Sequence, residues 1–104
     1  MDNKEKRIEQ ILKALPQGSG FNCDWSFYEY KNGNVDFRTL YHNMNENGMY
    51  DGFTGVRIKI EKSDIFRQNP DFSMYLSGKR KYTEINREYY ADTIYYALDA
   101  LKGN

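Results

Sequence analysis

The segment from Gly55 to Glu61 constrains the fold more than any other. Val56, Ile58 and Ile60 alternate with Arg57 and Lys59. A period of two puts the aliphatic side chains on one face and the cations on the other, the pattern of a strand with one side against a core. Such a strand needs neighbours on its edges and a layer over its apolar face. The rest of the chain supplies candidates for both.

Trp25 to Lys31 is dense in aromatic residues and reads as a strand. Asn32-Gly33-Asn34 is a short turn, so Val35 to His42 should pair back as a hairpin. In that second strand Val35, Phe37, Thr39 and Tyr41 share one face; Asp36, Arg38, Leu40 and His42 share the other. After the alternating third strand, Ser63 to Asp71 is a connection containing Pro70. Phe72 to Ser77 then reads as a fourth strand, with Phe72, Met74 and Leu76 on one face.

Two amphipathic helices flank these strands. From Lys4 to Leu15, Ile8, Ile11, Leu12 and Leu15 fall at helical spacing, and Pro16 with Gly18-Ser19-Gly20 ends the run. Gly78-Lys79-Arg80-Lys81 reads as a basic turn and Thr83 as the N-cap of a helix from Glu84 to Leu101, stopped at Gly103. Its apolar stripe is Tyr90, Thr93, Ile94, Ala97 and Leu101, with Glu84, Glu88, Asp92, Tyr95 and Asp99 opposite. The order α-β-β-β-β-α with short links predicts an α+β fold. It is a four-stranded antiparallel meander with both helices packed on one face, a single domain over residues 1–104. Ile58 and Ile94 are the expected centre of the core.

Charge and composition narrow the function. Fifteen basic and 15 acidic residues cancel, which removes the usual electrostatic case for tight nonspecific nucleic-acid binding. The single cysteine, Cys23, has no partner for an internal disulfide. The N-terminal residues Met1 to Arg7 are charged and lack an apolar leader, and no apolar run approaches membrane-spanning length. A cytoplasmic protein is the expectation. Aromatic residues make up 16% of the chain, ten of them tyrosines, which supply bulk while keeping a hydroxyl wet.

The segment from Tyr41 to Phe53 concentrates polar groups between two strands: His42, Asn43, Asn45, Glu46, Asn47, Gly48, Tyr50, Asp51 and Gly52. It reads as a long loop, beyond the few residues that a minimal hairpin turn needs. Asn43, Asn45, Asn47 and Gly48 imitate the start of an EF-hand. However, the first ligand position lacks Asp, Thr54 stands where a bidentate Glu is needed, and strands flank the segment. Turn chemistry explains these residues better. His42 is a general acid–base residue type without a partner in the spacing. Gly18-Ser19-Gly20 follows a helix and lacks the Lys-Ser/Thr of a P-loop. Cys23 has no neighbouring base in sequence. Lys79-Arg80-Lys81 with Arg87 is the best basic cluster, and Tyr95 is an aromatic anchor within the acidic helix face.

Three segments, Leu15-Pro16-Gln17-Gly18-Ser19-Gly20-Phe21, Tyr41 to Phe53 and Tyr90 to Leu98, resemble those of a small family of proteins from bacterial and phage genomes with no known activity. A phage or mobile-element setting implies a host-directed binding protein, such as an anti-CRISPR or another anti-defence inhibitor. The element order is also similar to that of double-stranded-RNA-binding domains, with one extra strand. That likeness implies phosphate contacts at the start of the last helix, where Lys79, Arg80, Lys81 and Arg87 lie. The Gly-Pro-x-His loop of those domains has no counterpart here.

The leading expectation is a non-catalytic protein-binding module that occludes or bridges a macromolecular partner. Its contact residues are His42, Asn45, Glu46, Asn47, Tyr50 and Asp51, with Glu88, Asp92 and Tyr95 as a second surface. The alternative is a nucleic-acid-binding domain using Arg57, Lys59, Lys79, Arg80, Lys81 and Arg87. A small enzyme using His42 comes third. No catalytic set, metal site or cofactor is expected.

Overall fold

The computed structural model describes residues 3–17, 25–67, 70–78 and 81–86. Helix α1 (Asn3–Ala14) precedes strands β1 (Ser26–Glu29), β2 (Val35–Met44) and β3 (Tyr50–Ile60). A single 3-10 turn at Lys62–Asp64 leads toward β4 (Ser73–Gly78) and β5 (Lys81–Ile85). The strands form one antiparallel sheet in the order β1-β2-β3-β4-β5. The α+β class and the meander agree with the sequence pattern. No described helix is long and apolar enough to cross a membrane.

Three expectations are corrected. Among the described residues the sheet has five strands, not four. Lys81–Ile85 forms an edge strand with Leu76 opposite Thr83 and Met74 opposite Ile85, so Thr83 is not an N-cap and no helix starts at Glu84. The segment alternates Thr83 and Ile85 against Tyr82 and Glu84, and β-branched and aromatic residues suit a pleated surface. The expected C-terminal helix beyond that point, with Ile94, Glu88, Asp92, Tyr95 and Arg87, lies outside the described residues. So do Cys23, Gly18-Ser19-Gly20, Lys79 and Arg80. Third, the long loop is short. Strands β2 and β3 run on to Met44 and from Tyr50, leaving a connection of Asn45 to Met49.

One face of the sheet carries the core. Val35 and Phe37 on β2, Val56, Ile58 and Ile60 on β3, and Met74 on β4 are fully buried, against Ile8, Ile11 and Leu15 of the α1 side. Trp25, Ile65 and Phe72 close the margins of this cluster. Burying each such aliphatic or aromatic side chain contributes about 1.5–3 kcal/mol. Polar clasps fix the helix over the sheet. The Arg7 guanidinium donates to the Ile65 carbonyl at 2.9 Å and to the Arg67 carbonyl, and the Trp25 indole N–H donates to the Pro16 carbonyl at 2.8 Å. Lys4 pairs with Glu29 at 3.0 Å, tying α1 to β1.

The central hairpin outreaches its neighbours. Strand β1 pairs with Val35 to Arg38 and β4 with Val56 to Lys59. The β2–β3 pairing itself runs on from Leu40 opposite Gly55 to Met44 opposite Tyr50. At about 3.4 Å per residue, the hairpin projects roughly 15–20 Å past the described ends of β1 and β4.

Candidate functional site: the hairpin arm and the outer face

The turn that closes the arm repeats the turn between β1 and β2. In the first, the Gly33 N–H donates to the Tyr30 carbonyl and the Tyr30 N–H to the Asn34 carbonyl, both at 2.9 Å. In the second, the Gly48 N–H donates to the Asn45 carbonyl at 3.0 Å and the Asn45 N–H to the Met49 carbonyl at 2.9 Å. Gly33 and Gly48 both have positive φ, at 93° and 76°. This is the three-residue hairpin loop whose last residue is left-handed, and Asn-Gly supplies that residue in each copy. Asn45 braces the second copy further. Its side-chain oxygen accepts the N–H of Asn47 at 2.9 Å and of Met49 at 3.1 Å. Asn43 accepts from the Thr54 hydroxyl at 2.8 Å. Two of the oxygens that imitate an EF-hand, those of Asn43 and Asn45, are thus engaged in holding the hairpin. Among the described residues no group of three or more His, Cys, Asp or Glu is placed to hold a metal ion.

A bulge just past the turn decides which rings meet. His42 pairs with Phe53, and Met44 with Tyr50, so Asp51 and Gly52 together oppose Asn43. Gly52 takes the positive φ of 80° that this needs. Tyr50 and Phe53 are three residues apart, and in a regular strand they would face opposite sides. The bulge brings both to the side of His42, with ring centroids 4.6 Å and 4.7 Å from the imidazole. The cluster faces solvent: Tyr50 is 69% exposed, Phe53 54% and Met49 67%. Leu40 continues it down β2.

Below the arm, on the same outer face, lies a polar network. Asp36 is fully buried although it sits opposite the core. Its carboxylate accepts from Arg57 Nε and Nη2, from Arg38 Nη2 at 2.9 Å, and from the Tyr30 hydroxyl at 2.5 Å. Burial alone would push this carboxyl up; the hydrogen bonds from Arg57, Tyr30 and Arg38 outweigh it and hold the group below the usual carboxylate range. The Arg57 guanidinium lies 4.6 Å from the Tyr75 ring and that of Arg38 5.9 Å from the Tyr82 ring. Tyr82 reaches from β5 across β4 because Gly55 leaves room. A Cβ there would stand 3.0 Å from the Tyr82 hydroxyl and 2.9 Å from Ser77 Oγ.

The expected site residues separate accordingly. His42, Glu46, Asn47, Tyr50 and Asp51 lie on the arm, with Glu46, Asn47 and Asp51 exposed. Asn45 is also on the arm, as its brace. For the nucleic-acid alternative, Arg57 is committed to Asp36, and Lys59 is half-buried on the same face. Lys81 alternates with Tyr82 and so falls on the opposite face from Arg57. The described part of the basic set does not converge. Asp36, Arg38, Phe53, Tyr75 and Tyr82 are the residues that sequence reasoning passed over. The one usable signal was the odd spacing of Tyr50 and Phe53 around Asp51-Gly52.

No family model matches the chain, and no curated protein or solved structure is significantly similar to it.

Proposed function

We propose that this protein is a non-catalytic protein-binding module whose contact surface is the projecting β2–β3 arm. One observation carries the reading. Tyr50, Phe53 and Met49 are each more than half exposed, on a hairpin that a bulge has shaped to present both rings on one side. Holding such rings in water is unfavourable by area alone, and aromatic residues with Met are enriched at protein interfaces. Tyr and His add polar tips to apolar bodies, which suits a surface that is wet when free and buried when bound. The rings of Tyr50 and Phe53 pack against the His42 imidazole, which adds to the aromatic contact area of the arm. Action against a host defence system, as an anti-CRISPR-like inhibitor, is one setting for such a module and rests on the family resemblance alone.

Affinity capture from bacterial lysate, with and without nuclease, tests the partner class. A specific protein that survives nuclease and is lost with Tyr50→Ala/Phe53→Ala is the expected result. Loss of all capture after nuclease would transfer the surface to nucleic acid.

A further inference from the structure

Two guanidiniums on the outer face share one carboxylate. Arg38 and Arg57 both donate to Asp36, and no other acidic side chain makes an ion pair with either among the described residues. One positive charge is therefore left over in a chain whose formal charge is zero. Arg38 spends only Nη2 on Asp36 and Tyr30, so Nε and Nη1 donate to no described residue. Its side chain is 43% exposed. The fork is held in place by Asp36 below and Tyr82 beside it, and a pre-positioned guanidinium loses less freedom on gripping an oxyanion.

The same strand continues directly into the arm. Arg38, Leu40 and His42 follow at every second residue on the outer face of β2, with Phe53 opposite His42 and Tyr50 beyond. The strip begins with a cation that has unused donors and ends in exposed rings. We infer that it receives an acidic, apolar segment of a partner protein: an Asp or Glu carboxylate on Arg38, and neighbouring aliphatic or aromatic side chains on Leu40, Phe53 and Tyr50. This rests on the reading of the arm as a protein-binding surface and names the partner's chemistry. Charge complementarity selects the acid. The aliphatic Leu40 and thioether Met49 select a protein over a nucleic acid, because neither stacks on a base nor grips a phosphate. A single surplus charge is also too little for phosphate-driven affinity.

The test is selection of a random dodecapeptide display library on the immobilised protein, repeated on Arg38→Ala, Arg38→Lys and Tyr50→Ala/Phe53→Ala. The expected peptides carry Asp or Glu within a few residues of Leu, Phe or Trp. Their affinity falls about tenfold with Arg38→Ala and less with Arg38→Lys, which keeps the charge and the anchoring of Asp36. Circular dichroism of each variant separates lost binding from lost folding. Peptides that need Tyr50 and Phe53 but show no acidic residue, or that ignore Arg38→Ala while the variant is folded, overturn the inference and leave the arm as the site. Peptides indifferent to Tyr50 and Phe53, or no enrichment, count against the arm as well. Displacement of selected peptides by oligothymidylate, dependent on Arg38, would assign the strip to single-stranded nucleic acid and overturn the acidic-segment proposal.

Discussion

Ile58 and Arg57 are adjacent on β3 and lie on opposite faces of the same sheet. Ile58 has no exposed surface and is surrounded by aliphatic and aromatic side chains. Arg57 spans to Asp36 on the neighbouring strand and stacks on Tyr75. The first face is held by volume, which is non-directional and tolerates no loss of a methylene without a cavity. The second is held by a few directional bonds that converge on one carboxylate. A face built the second way stays polar enough to remain in water, and it keeps aromatic groups available for another molecule.

That contrast sets the order of expected effects. Ile58→Ala should be the most damaging, at about 2–5 kcal/mol, read as a shift in denaturant midpoint at constant slope. A loss under about half a kcal/mol would show that the apolar face is not the core. Asp36→Asn follows, at about 2–3 kcal/mol, because it leaves two guanidiniums without a counter-charge; their partial exposure keeps the cost below that of a fully buried pair.

Acid probes the same group with the sign fixed by linkage. The folded carboxyl of Asp36 lies below its unfolded value, so the unfolded chain binds more protons in acid. Its contribution is complete above the ordinary carboxylate range near pH 4 and is lost as pH falls through the depressed folded value. Thermal melts should therefore decline more steeply below about pH 5 in the native protein than in Asp36→Asn. Parallel curves would show that Asp36 is not the outer face's keystone. Asn45→Ala comes lower still, at about 1 kcal/mol, since it removes two side-chain-to-backbone bonds in an exposed turn.

Much of the core-facing architecture was legible in the residues. Helix α1, the two faces of β2 and the alternation of β3 follow from periodicity, because burial on one side imposes it. The arm was less so. From His42 to Gly52 polar residues and glycines interrupt the alternation, so the outer parts of β2 and β3 looked like loop. Even so, Asn47-Gly48 copies Asn32-Gly33, and reading the two alike would have shortened the loop. Strand β5 was hidden by the helical spacing read from Tyr90 to Leu101, an expectation that was extended back to Glu84. The Asp36 network and the meeting of His42, Tyr50 and Phe53 depend on cross-strand register and on a one-residue bulge. Register is not expressed in local spacing, and the bulge left only the odd spacing of Tyr50 and Phe53 around Asp51-Gly52.

The arm is expected to lie at the far end of the scale for stability and at the near end for binding. Glu46→Ala, Asn47→Ala and Tyr50→Ala together should cost little stability, since all three side chains are exposed. The most direct measurement is of Tyr50→Ala/Phe53→Ala, with partner capture and melting temperature taken on one preparation. Binding by the arm predicts capture weakened tenfold or more, about 1.4 kcal/mol, with a melting temperature close to that of the native protein. Unchanged capture together with a large fall in melting temperature would contradict it, and would mean that the rings brace the hairpin instead of meeting a partner.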